Sequence, residues 1–107
     1  MENIKSQFHS DMINIYNSAK ELGYTPTRFI QMVSEKGGYQ TAKDLIYKNE
    51  PSDGFTTLWE LNRLDLSMEA HVLKAEYNDI FTEEERRICR SRLIEYKYLN
   101  PDSSDAH

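Results

Sequence analysis

The sequence predicts a single all-α domain, and three observations carry that prediction. Apolar residues recur every three or four positions along several segments, as on the buried face of an amphipathic helix. Residues with side-chain oxygens stand before these segments, where they can cap the free N–H groups of a helix start. No segment shows the sustained alternation and β-branched enrichment of a strand. We therefore expect a compact bundle of about six or seven helices, in which two longer terminal helices flank short central ones.

The first helix is predicted over residues 2–22. Its apolar positions step by three or four residues and so form one stripe, namely Ile4, Phe8, Met12, Ile15, Ala19 and Leu22. Gly23 follows as a natural stop, because glycine readily adopts the left-handed conformation that ends a helix.

Two short helices follow, separated by a glycine pair. Thr25 is the expected cap of the first, with Pro26 at its first helical position, where a missing N–H group costs nothing. Gly37 and Gly38 end this helix, and a third helix continues to about Asn49. This arrangement predicts two consecutive short helices joined by a tight turn.

The chain is organised around residues 54–73, GFTTLWELNRLDLSMEAHVL, which contain the only tryptophan. Ser52 or Asp53 is expected to cap a helix here, and Ser67 a second one. Residues 64–66 alternate between apolar and acidic, which indicates a short extended link between the two helices. We expect an elbow whose apolar inner side is covered by the two long helices.

Two interactions are predicted within the elbow. Trp59 follows the apolar stripe, so we expect it to be mostly buried against both long helices, with a cost of about 3–5 kcal/mol on truncation to alanine. Arg63 is expected to pair with Asp65, Glu69 or Glu60 in a structural polar network, because its planar guanidinium can bridge two acids.

The last helix has the sharpest local signal. Thr82 and Glu85 match the capping box, in which each side chain accepts a backbone N–H group of the other residue. The helix is predicted from Glu83 to about Tyr98, after a segment that breaks near Ala75. Its apolar positions continue the core.

The central segment FTTLWELNRLDLSMEA, with TRFIQMVSEKGGYQTAKDL before it and FTEEERRI after it, resembles a family of small uncharacterised bacterial all-helical proteins. Those proteins carry a GFTTLWELxRLDLSxEA-type motif, and the likeness covers about residues 8–98. The resemblance implies a family fold, and it implies no activity, cofactor or active residue.

Composition limits the class of protein. The 107 residues are 29% charged and 38% apolar, with a mean hydropathy of −0.76. This size suits one domain, expected over residues 1–100, followed by a disordered acidic tail at 101–107. No apolar run is long enough to span a bilayer, and no secretion signal is evident, so we expect a cytoplasmic protein without a membrane partner. The net charge of −5 argues against binding nucleic acid through the whole surface.

The sequence indicates no enzyme, metal site or cofactor. Cys89 stands among arginines that could lower a thiol pKa, but it lies on the inward stripe, where an inert buried thiol is the better interpretation. His9 and His71 are far apart along the chain, and His107 belongs to the tail. No catalytic residue is predicted.

A binding surface is the remaining candidate. The chain contains more large aromatic side chains than so lean a core can hide, among them Trp59, Tyr39 and Tyr47. Exposed tryptophan, tyrosine and arginine concentrate binding energy, although packing at the rim of the core explains the same residues. We predict a non-catalytic bacterial accessory or adaptor module that docks a partner protein or a second copy of itself.

The alternative is a nucleic-acid accessory protein. Arg86, Arg90 and Lys97 fall on roughly one outer face of the last helix, but glutamates on the same helix nearly cancel their charge. Residues 27–48 resemble a helix-turn-helix superficially. Either alignment of the glycine pair places a charged residue where that motif buries an aliphatic one, so the match is poor.

Overall fold

The structure, a computed structural model, describes residues 3–100. The helices are α1 (Ile4–Glu21), α2 (Thr27–Lys36), α3 (Gly38–Ile46), α4 (Asp53–Glu60), α5 (Met68–Val72) and α6 (Glu83–Glu95). Two 3-10 turns, Leu64–Leu66 and Ala75–Tyr77, lie before and after α5. No strand occurs between residues 3 and 100. The predicted all-α class is confirmed, and α1 and α6, with 18 and 13 residues, are longer than the four helices between them.

Side-chain capping starts three helices as predicted. Thr82 Oγ1 accepts the Glu85 N–H group at 3.1 Å, and Glu85 Oε1 accepts the Thr82 N–H group at 2.9 Å, which completes the capping box. Ser52 and Ser67 each accept an N–H group three residues ahead at 3.2 Å. These local signals therefore fix the starts of α4, α5 and α6.

Several local predictions are wrong. Gly38 does not end α2 but is the first residue of α3, and α6 ends at Glu95, before the expected end near Tyr98. The expected cap Thr25 lies outside α2, which begins at Thr27 after Pro26 and has no side-chain cap. The Thr25 carbonyl instead accepts the Thr27 N–H group at 2.9 Å. Residues 64–66 are a 3-10 turn and not an extended link, because the Leu66 and Ser67 N–H groups bond to carbonyls three residues back at 3.0 Å. The predicted tail, 101–107, lies outside the described residues.

Three helix ends share one geometry. The residues that follow the C-caps of α1, α4 and α6 have positive φ angles of 90°, 61° and 69°, at Gly23, Asn62 and Lys97. In each case the next N–H group bonds to a carbonyl five residues back, at 2.8 to 3.0 Å. This is the Schellman ending, in which glycine is the usual residue and asparagine the second choice. Lysine is the exception at the end of α6.

The buried apolar side chains form two clusters. The larger cluster joins α1, α2, α3, α5 and α6 around Phe8, whose ring meets Tyr77 and Phe81 edge-on at 5.0 and 5.1 Å. The smaller cluster consists of Phe55, Leu58, Leu64 and Leu93. The radius of gyration of 13.1 Å is that of a compact domain of this length.

Candidate functional site

A buried arginine connects α3, α5 and α6. Arg92 is 7% exposed, and its guanidinium donates to the carbonyls of Leu45, Ile46 and Lys48 at 3.2, 3.0 and 2.7 Å. It also donates to Glu69 at 3.2 Å, and Glu69 is 2% exposed. Since the last carbonyls of a helix have no partner within it, Arg92 satisfies the C-terminal end of α3. Burial raises the pKa of Glu69, and the nearby Arg92 opposes that rise.

A second buried carboxylate connects α3 to α6. Besides its place in the capping box, Glu85 accepts hydrogen bonds from Lys43 Nζ at 2.5 Å and from the Tyr47 hydroxyl at 2.8 Å. Burial alone would raise the pKa of Glu85, but these donors outweigh it and hold the pKa below its usual range. The same contact raises the pKa of Lys43. Glu85 therefore stays ionised and acts as a structural centre.

These contacts divide the predicted polar network. Arg63 pairs with Asp65 as expected, through Nε and Nη2 at 3.0 and 3.1 Å, and this pair is exposed. Glu69 does not join it, because α5 directs that side chain to Arg92. Glu60 is exposed and makes no ion pair with residues 3–100. The four residues therefore do not converge on one site.

The expected burial of Trp59 is wrong. Its side chain is 43% exposed, because the eight-residue α4 buries only Phe55 and Leu58. The indole packs edge-on against Tyr96, the C-cap of α6, at 5.3 Å, and Tyr96 packs edge-on against Phe55 at 5.0 Å. Tyr98, 45% exposed, lies three residues beyond the last residue of α6. We call Trp59, Tyr96 and Tyr98 the aromatic face.

A small cleft of about 190 Å³ opens on the aromatic face. Besides the three rings it is lined by Asn62, Leu64 and Lys97. Two of these residues, Asn62 and Lys97, are the non-glycine residues with positive φ angles in the described part of the chain. The cleft therefore forms where the Schellman endings of α4 and α6 lie side by side.

The other two predicted aromatic residues are more constrained. The Tyr39 ring is half-buried, and its hydroxyl donates to the Ile80 carbonyl at 2.8 Å. Tyr47 is 59% exposed, but its hydroxyl is bonded to Glu85. Neither residue lines the small cleft. Both have structural contacts, and an interaction role for them stays a prediction.

The predicted basic face is not continuous. Arg86 is half-buried and donates to the Val72 carbonyl at 2.9 Å. Lys97 lies beyond the end of α6, in the left-handed turn. It is therefore not on the helix face that Arg86 and Arg90 were predicted to share with it. Arg90 remains on α6 as a partly exposed cation.

A second cleft, open and of about 1080 Å³, lies between α2, α3 and the start of α4. Its walls include apolar side chains such as Ile15, Phe55 and Met68, and its rim carries charges of both signs. Glu69 also lines it, but this carboxylate is paired with Arg92. The cleft has the size of a small-molecule site. The one buried charged group in its lining, Glu69, is already paired with Arg92 within the protein.

The candidate catalytic and metal-binding residues have structural surroundings. Cys89 is fully buried, which raises the pKa of its thiol. His9 Nδ1 accepts the Gly38 N–H group at 2.8 Å, while His71 Nδ1 donates to the Ser67 carbonyl at 2.8 Å. Among residues 3–100, no group of three or more histidine, cysteine or acidic side chains could hold a metal ion.

The helices of residues 3–100 include none with both the length and the apolar character that a membrane crossing requires. Comparison with protein-family models, with curated proteins and with solved structures finds no match for this chain.

Proposed function

We propose that this protein is a non-catalytic interaction module, which docks a partner protein or a second copy of itself through the aromatic face. In keeping with the resemblance of its central segment, we place it in the bacterial cytoplasm. The observation that carries the proposal is the position of Trp59. A tryptophan that is 43% exposed presents a large apolar surface to solvent, and tryptophan and tyrosine dominate the binding energy of protein interfaces.

The order of the aromatic face supports docking. Tyr96 lies between Phe55 and Trp59 in two edge-on contacts, so it connects the indole to the smaller cluster. A ring that is already fixed loses little conformational freedom when a partner covers it, and this favours binding.

Nucleic-acid binding through α6 remains the alternative proposal, with less support. Arg86 is bonded to the Val72 carbonyl, and Lys97 lies in the turn beyond the helix. Of the three predicted cations, Arg90 is therefore the one that lies on α6 without such a bond to residues 3–100. A phosphate track needs several cations in line, and the net charge of −5 opposes it.

The test compares three immobilised proteins, which are the natural sequence, Trp59→Ser and Ile13→Ser. Ile13 is a suitable control because it is 36% exposed and lies on α1, outside the aromatic face. Circular dichroism first establishes that all three are folded. We expect one protein from cells that naturally make this chain, or the chain itself, to bind the natural sequence and Ile13→Ser and to be lost from Trp59→Ser.

Light scattering on each protein detects self-association in the same experiment. A natural sequence that is monomeric and retains no protein would contradict the proposal. Equal loss of the partner from Trp59→Ser and Ile13→Ser would show that docking does not use the aromatic face.

A further inference from the structure

We infer that the small cleft on the aromatic face binds an acidic and apolar segment of a partner protein. A carboxylate of that segment lies at Lys97, and an adjacent apolar side chain packs on Trp59 and Tyr98. The inference rests on the proposed function, because it names the chemistry of the segment that the aromatic face docks.

Each polar side chain that lines the cleft can donate a hydrogen bond. The Trp59 indole N–H and the Lys97 ammonium only donate, and the hydroxyls of Tyr96 and Tyr98 and the amide of Asn62 can also donate. None of these side chains forms a hydrogen bond with any group of residues 3–100. The lining contains one cation and no acid. A carboxylate accepts only, so it is the protein group that complements this set.

The backbone at Lys97 supports a role for its side chain. Gly23 and Asn62, at the equivalent positions after α1 and α4, are residue types that tolerate a positive φ angle. Lysine tolerates it poorly, yet Lys97 has a φ angle of 69°. A residue type that is unfavourable in its backbone conformation is expected where its side chain has a functional role. Here the turn places Lys97 in the lining of the cleft, together with three aromatic residues.

Charge selects a short acidic segment over the other occupants. A polyphosphate chain would bring many negative charges to a protein whose net charge is −5. A segment with one or two carboxylates meets less of that repulsion. A cationic segment would meet the ammonium of Lys97 at short range.

Trp59 makes the experiment direct, because it is the only tryptophan and its fluorescence reports on the cleft. The probe is a blocked peptide in which glutamate alternates with phenylalanine. The matched peptides replace glutamate with glutamine or with lysine, and oligothymidylate tests nucleic acid. We expect a saturable change in fluorescence that is strongest with the glutamate peptide and weakens as salt is raised.

The decisive variants are at Lys97. Lys97→Gly removes the ammonium, so it should weaken binding of the glutamate peptide by roughly two- to fivefold, as for an exposed ion pair. Because glycine adopts a positive φ angle without strain, the same change should raise the melting temperature. Lys97→Arg should retain the binding. A lysine that serves only the fold would give the change in melting temperature alone.

Three results would overturn the inference: equal affinity of Lys97→Gly for the glutamate peptide, tighter binding of the lysine peptide or of oligothymidylate, or no saturable change with any probe. Suppose the partner found by immobilisation is lost from Trp59→Ser but binds Lys97→Gly normally. Docking through the aromatic face then stands, and the assignment of an acidic segment fails.

Discussion

The two apolar clusters differ in the side chains that surround them. Around the larger cluster, buried polar side chains bond across helices: Arg92 to the end of α3, Glu85 to Lys43, and the Tyr77 hydroxyl to Asp11 at 2.5 Å. The smaller cluster has four buried residues, and beyond them Trp59 and Tyr98 reach solvent. The difference indicates that stability is concentrated in the larger cluster, while the smaller cluster supports a surface available for recognition.

Truncation of one aromatic residue in each region tests this division most strongly. Phe8 is 0% exposed and packs on two rings, so Phe8→Ala should lower the free energy of unfolding by about 3–5 kcal/mol. Trp59→Ala should cost much less, about 1 kcal/mol, because only part of its surface is covered. Urea denaturation followed by circular dichroism measures both. Equal losses would mean that the smaller cluster is as important to stability as the larger one.

The two arginine–carboxylate pairs provide the next comparison. Arg92→Met leaves Glu69 buried without its partner and removes the donor from the carbonyls of Ile46 and Lys48, so we expect a loss of about 3–5 kcal/mol. Arg63→Met is the matched control. Its pair with Asp65 is exposed on both sides, and we expect no change beyond the error of the same denaturation experiment. A stable Arg92→Met protein would show that packing alone closes the end of α3.

The pH dependence of stability should identify Glu85. Its pKa is lower in the folded protein than the usual value of 4.5, so the unfolded chain binds its proton more readily as the pH falls. The contribution of Glu85 is therefore complete above about pH 4.5 and is lost as the pH falls through the folded value. Glu85→Gln should cost about 1–3 kcal/mol near pH 7, because a charged hydrogen-bond acceptor is removed. That cost should shrink towards about pH 3, measured by urea denaturation at each pH.

An unchanged difference between the natural protein and Glu85→Gln across that range would contradict the assignment. Glu84→Gln is the control, since Glu84 is exposed and pairs with Arg87 on the surface of α6. It should leave the acid dependence nearly intact.

The sequence predicts the local features of this molecule well. Helical periodicity and the caps at Ser52, Ser67 and Thr82 involve residues close in the chain, so their physics is visible without the fold. The pairing of Glu69 with Arg92 joins residues 23 apart. It depends on how α5 and α6 pack, whereas Arg63, which is nearer in the sequence, pairs with Asp65.

One signal could have revealed the buried polar groups. Glu85 and Arg92 lie four residues before and three after Cys89, on the same inward stripe of α6. A charged residue at a buried position needs a partner, so this stripe predicts two internal charge contacts. The exposure of Trp59 has no such signal. The helix α4 has more apolar surface than the neighbouring helices cover. Only tertiary packing decides which part of that surface faces solvent.

The smallest expected effect concerns a buried hydroxyl group without a hydrogen-bond partner in the region around the larger cluster. Thr41 of α3 is fully buried, and its hydroxyl has no hydrogen-bond partner among residues 3–100. A buried hydroxyl without a partner is unfavourable, so Thr41→Val should raise the free energy of unfolding by about 1 kcal/mol. Thr56→Val is the control, because the half-buried Thr56 hydroxyl donates to the Ser52 carbonyl at 3.4 Å. Differential scanning calorimetry should show a higher melting temperature for Thr41→Val and no gain for Thr56→Val. A loss at Thr41 would mean that its hydroxyl is satisfied in solution, and that the region around the larger cluster admits water.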